Sequence, residues 1–182
     1  MFGLPPIPRW DAAHPIVVHM PLGLLFFAPV LVVLAMVMKR RSAGLLIGAW
    51  ATVVAGTVSL LLALWTGEAA EDVADGVPGA AAVLERHEGL AHAARNVFVM
   101  LAVLLTAWTV ASLRYVDRWP RRAFVTGCAA YLLLHGAGAL IMANAAHEGG
   151  RLVHEFGVRA SMASNVPGTG RSVTGSLTHN DD

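Results

Sequence analysis

Four stretches of about twenty apolar residues dominate this chain and leave it few folds to choose from. They fall at roughly 16–38, 43–66, 92–114 and 122–145. A hydrocarbon core about 30 Å thick is crossed by a helix of about 20 residues, and no water is available there to satisfy an open backbone. Each run is therefore expected to be a transmembrane helix. The fold class is all-α, an integral membrane four-helix bundle. Composition agrees: hydrophobic residues are 56% of the 182 and charged residues only 14%, where a soluble domain carries about a quarter charged. Lys39, Arg40 and Arg41 follow the first run rather than precede it. A secretion signal has the opposite order, so this segment is expected to stay in the mature chain.

Charge sets the expected orientation. The connection after the first run holds Lys39, Arg40 and Arg41, and the one after the third holds Arg114, Arg118, Arg121 and Arg122. Basic residues in short loops stay on the cytoplasmic side. The connection at 67–91 is acidic, with Glu68, Glu71, Asp72, Asp75, Glu85 and Glu88. It is expected in the periplasm together with both termini, in a multi-pass protein of a bacterial inner membrane. The layout is then an interfacial arm at 1–14, the bundle at 15–145, a periplasmic Gly-Gly segment at 146–160 and a disordered tail at 161–182. The pair Gly149-Gly150 permits a sharp turn back across the outer face. Gly44, Gly48, Thr52 and Gly56 form a row at a spacing of four, the pattern that lets helix backbones approach in lipid. Cys128 stands alone inside the fourth run, which excludes an internal disulfide and a thiolate cluster. The basic residues make no stripe, so nucleic acid is not an expected partner.

Histidine carries the functional signal. His14, His19, His87, His92, His147 and His154 all map to the outer side, and His135 lies inside the fourth run. Nothing in a lipid-spanning helix calls for a histidine, so one placed there needs a partner, water or a ligand. Counted from Arg122 at 1.5 Å per residue, His135 lies about 20 Å from the inner surface, a depth comparable with His19. Two imidazoles from different spans are what a bis-histidine haem b requires. His19 and His135 are the expected axial pair by depth, with His92 or His87 as the competing ligand. Arg95 and Arg151 are placed to pair with propionates, since guanidinium binds carboxylate in bidentate fashion. Against this stands a plainer reading of His135 as a buried hydrogen-bonding group joined to Tyr131 or a neighbouring helix.

Several short motifs resemble one family. They are His14-Pro15-Ile16-Val17-Val18-His19-Met20-Pro21, the exit Thr66-Gly67-Glu68, His87-Glu88 with Asn96 after it, and Gly149-Gly150-Arg151-Leu152-Val153 with Gly157-Val158. Together they resemble the bacterial predicted membrane proteins grouped as domain of unknown function 2231, over about residues 10 to 160. Met20 stands where that family usually has Phe, and Arg159 follows Gly157-Val158 where a Gly-Val repeat is common. The resemblance implies a four-span domain similar to a cytochrome b561-type bundle, in a family whose members are sometimes fused to, or encoded near, Rieske and c-type cytochrome domains.

The leading expectation is a haem-b membrane subunit that passes electrons between the quinone pool and a periplasmic partner such as a c-type cytochrome or Rieske protein. The acidic loop suits a basic docking partner. An alternative is a zinc, iron or copper site at the outer face built from His87, Glu88, His92, His147 and Glu148. The spacing of His87-Glu88-Gly89-Leu90-Ala91-His92 is one residue too long for a zinc-protease motif. A third reading is a cofactor-free accessory subunit of a larger membrane complex. No catalytic triad or phosphate-binding loop is visible, so an electron-transfer or accessory role is expected ahead of a stand-alone enzyme.

Overall fold

A computed structural model describes residues 13–71, 74, 76–115 and 120–158. The expected arm before residue 13 and the expected tail after 160 lie outside them. Among the described residues all regular structure is helical. Helix α1 is His14–Val17 and α2 is His19–Val37. A 3-10 turn, Lys39–Arg41, leads into α3, Ser42–Glu68. Helix α4 spans Ala81–Arg114 and α5 spans Arg121–His154. Four of these segments, with α1 and α2 taken as one, are long and apolar enough to cross a membrane.

The first span enters in two pieces because two prolines punctuate it. Pro15 occupies the first turn of α1, where its missing N–H costs nothing. The helix breaks at Val18 and restarts, so that Pro21 again falls in a first turn, that of α2. Pro29 has no such refuge. It lies inside α2 and leaves the carbonyl four residues earlier, Leu25, without its helical donor.

The helices pack in a ring: α2 on α3, α3 on α4, α4 on α5 and α5 on α2. Each contributes one buried stripe with alternating spacings of three and four. On α2 it is Leu25, Ala28, Val32 and Ala35; on α4 it is Ala94, Phe98, Leu101 and Leu105. On α5 it is Cys128, Tyr131, His135, Gly138, Met142 and Ala145. That spacing is the seam of a left-handed bundle. Outside the seam the large side chains face away: Leu133 is 79% exposed and Leu140 68%, as a lipid-facing surface requires. Part of the small-residue row does what its spacing predicts. A Cβ at Gly56 would stand 2.7 Å from the Leu25 side chain, and one at Gly48 would touch Leu31 at 3.8 Å, so both face α2. Gly44 has open space in front of it.

Helices α4 and α5 have 34 residues each, about 50 Å at 1.5 Å per residue. They overshoot a ~30 Å core. The excess lies at the acidic-loop end, where a second apolar cluster forms from Ala74, Ala80, Val83, Leu84 and Leu152, with Val77, Phe156 and Val158 against it. Gly149-Gly150 does not turn the chain as expected from sequence. Both residues stay helical, since the i→i−4 ladder continues to His154. The reversal comes later, at Gly157, whose φ of 70° is left-handed; the Val158 N–H then returns to the Leu152 carbonyl at 3.0 Å.

Candidate functional site

At the acidic-loop end, two imidazoles from different helices meet inside the ring. The His14 and His87 rings have centroids 6.5 Å apart and planes at 87°. Each is held the same way. His14 Nδ1 lies 2.9 Å from the Ala63 carbonyl and 3.1 Å from Thr66 Oγ1. The Thr66 hydroxyl is itself turned to the Ala63 carbonyl at 2.9 Å. His87 Nδ1 lies 2.8 Å from the Ala145 carbonyl. A carbonyl only accepts, so in both rings Nδ1 carries the proton. Nε2 is left with its lone pair, the tautomer that second-shell partners impose on metal-binding histidines.

Two glycines make room for these rings. A Cβ on Gly67 would stand 3.2 Å from His14 Cε1, and one on Gly149 would stand 3.0 Å from His87 Cε1. Each imidazole therefore lies against bare backbone of the helix beside it, α3 for His14 and α5 for His87. Beside the pair, buried Glu148 is clamped by Arg151 Nη1 at 2.8 Å and Arg86 Nη1 at 3.4 Å. Arg151 also reaches Glu155 at 3.0 Å.

The residues expected from sequence fall elsewhere, His87 excepted. His19 is exposed, and its Nδ1–H bonds the Pro15 carbonyl of α1, one turn earlier in the chain, at 2.6 Å. His135 is fully buried, and both of its nitrogens are used. Nε2–H donates to the Leu25 carbonyl at 2.9 Å, the acceptor orphaned by Pro29. That fixes Nδ1 as the acceptor of the Tyr131 hydroxyl at 3.2 Å. Phe98 closes on the ring at 5.3 Å between centroids. A Cβ at Gly138 would meet Val97, Leu101 and Phe98 within 3.4 Å, so that face of α5 is filled by side chains. Leu25 lies six residues along the chain from His19, about 9 Å deeper. The structure does not bring His19 and His135 together.

Arg95 bonds Asn96 Oδ1 at 3.2 Å, eight residues down α4 from His87. Arg151 lies close to His87, through Glu148 and Gly149. The outer-face set of His87, Glu88, His92, His147 and Glu148 is not assembled: among the described residues no three His, Cys, Asp or Glu side chains gather as a metal site. His147 is exposed, and Glu148 is turned to arginines. His14 was the residue that depth counting missed. Its signal lay in the His14-Pro15 start and the Thr66-Gly67 exit, two segments that meet in space.

The fold defines a class, a helical membrane protein of four candidate spans with a histidine pair at one end. Residues 11–162 match the family model described as predicted membrane protein, DUF2231, and the chain belongs to that family. No curated protein and no solved structure matches it.

Proposed function

We propose that His14 and His87 would hold a haem b, and that the protein is a membrane electron-transfer subunit. The observation that carries the proposal is a pair of neighbouring imidazoles, each with Nδ1 committed to a backbone carbonyl and a lone pair left on Nε2. With ring centroids 6.5 Å apart, the two imidazoles are close enough that both would serve one metal. Zinc and non-haem iron sites draw more ligands from the protein, whereas haem iron takes two.

The bound haem would supply one-electron chemistry. The chain's own residues do the holding. The Ala63 and Ala145 carbonyls fix both tautomers and leave the lone pair on Nε2. Arg86 and Arg151, which hold Glu148 beside His87, are the cations that would turn to propionates. With the basic loops inside, the site lies in the outer leaflet, beneath Glu68, Glu71 and Glu85. That acidic surface suits a basic periplasmic partner such as a c-type cytochrome, with quinone as the membrane-side reactant.

The test is a reduced-minus-oxidised absorption spectrum of the protein purified in detergent from haem-supplemented cells. The expected result is sharp haem-b bands that vanish in His14→Ala and in His87→Ala and persist in His19→Ala. A featureless spectrum, or bands that survive both substitutions, would overturn the assignment.

A further inference from the structure

The opposite end of the bundle carries a groove that the histidine site does not use. It lies between α4 and α5 as an open trough of about 480 Å³, lined by Trp108, Arg122, Ala123, Thr126 and Gly127. Its wall exists because position 127 is glycine: a Cβ there would stand 2.2 Å from the Trp108 ring, so the outer edge of the indole rests against the α5 backbone. Phe124 backs the same ring at 6.4 Å between centroids.

Two neighbouring arginines divide the work at this end. Arg121 is consumed by the fold. Its Nη2 donates to the Ala35 carbonyl at 3.1 Å and the Met36 carbonyl at 2.6 Å, covering the exposed end of α2, and its guanidinium lies 4.8 Å from the Phe124 centroid. Arg122 has no hydrogen-bond or ion-pair partner among the described residues, and it stands at the mouth of the groove. A permanent cation above an apolar trough, at the end of a transmembrane helix, is complementary to a molecule with an anionic head and a hydrocarbon tail.

We propose that this groove binds one anionic phospholipid, its phosphate on Arg122 and an acyl chain along Trp108, Ala123 and Gly127. The probe is phosphatidylglycerol, offered in equal amount with phosphatidylcholine to the full chain in detergent, and the bound lipid is counted by native mass spectrometry. Wild type is expected to retain one phosphatidylglycerol at least fivefold over phosphatidylcholine. Arg122→Gln loses that preference, and Arg114→Gln, outside the groove at the same end, keeps it. Ala123→Trp fills the trough and removes the lipid while Arg122 remains, and inorganic phosphate does not displace the lipid from wild type. Equal retention of the two lipids, equal loss in Arg122→Gln and Arg114→Gln, or displacement by inorganic phosphate would overturn the proposal. Circular dichroism melting of each variant separates loss of the lipid from loss of the fold.

Discussion

His135 and the His14–His87 pair put the same side chain in the same bundle to opposite uses, and the count of occupied nitrogens separates them. In the middle of the bundle, His135 donates through Nε2 to Leu25 and accepts through Nδ1 from Tyr131. It has nothing left to offer a ligand. At the acidic-loop end, His14 and His87 each commit Nδ1 to a backbone carbonyl. The difference begins with a proline. Pro29 removes the N–H that Leu25 needs, and an unsatisfied carbonyl in a bilayer is costly. A histidine on the facing helix repairs it. No proline accounts for the pair above, whose anchoring carbonyls, Ala63 and Ala145, lie within α3 and α5.

The sharpest way to break this contrast is to exchange the consequences. His135→Leu is expected to cost about 2–4 kcal/mol, because it strands the Leu25 carbonyl and the Tyr131 hydroxyl in the interior. Thermal melting in detergent measures the loss, and haem per folded protein should remain that of wild type. His14→Ala and His87→Ala should do the reverse and abolish haem with a smaller loss of stability. If His135→Leu removes the haem from protein that still melts cooperatively, the two uses are not separate.

Gly149→Ala probes the pair without touching a ligand. Its Cβ would stand 3.0 Å from His87 Cε1, so the ring must shift by a few tenths of an ångström. Displacing a metal-holding imidazole through its support costs about tenfold or more in affinity, and haem titration of the apoprotein reads it. Unchanged affinity would detach His87 from the site.

The proline explanation has its own test. Pro29→Ala returns an N–H to α2, so the Leu25 carbonyl no longer depends on His135. In a double-mutant cycle, His135→Leu should cost about 1 kcal/mol less in the Pro29→Ala background. Additive effects would mean that His135 serves packing alone.

How much of this could be read in the chain beforehand follows from which interactions are local. The number of spans was legible because lipid demands a long apolar run of consecutive residues, and the contacts of Gly48 and Gly56 followed from spacing along one helix. The Gly149-Gly150 turn was misread because glycine permits a turn without requiring one, and buried Leu152 holds α5 in register beyond it. The histidine pairing was illegible for a different reason. Depth counting gives height along a helix but not rotation about it, and the two N–H groups pinned at Ala63 and Ala145 depend on which helices become neighbours. The need created by Pro29 was visible in the sequence as a proline within an apolar run. That His135 answers it is a tertiary fact.

The smallest expected effect concerns the charged cluster around Arg151, and it shows how little exposed charge contributes compared with buried imidazole. Glu155 accepts from Arg151 Nε at 3.0 Å, and this arginine holds its carboxyl below the usual value. A group whose pKa is lower in the folded state stabilises the fold above its unfolded pKa. The benefit fades as pH falls through the folded one, so it is present at pH 7 and lost in acid below about pH 4. Because Glu155 is solvent-exposed, salt screens the pair. Glu155→Gln is therefore expected to lower Tm by about a degree or less at pH 7 and low salt, with no difference from wild type in acid or in 1 M salt. Haem content should not move in either condition. A Glu155→Gln effect comparable with that of His135→Leu would mean that the end of α5 beyond the histidine pair carries the stability assigned here to the buried repair at Pro29.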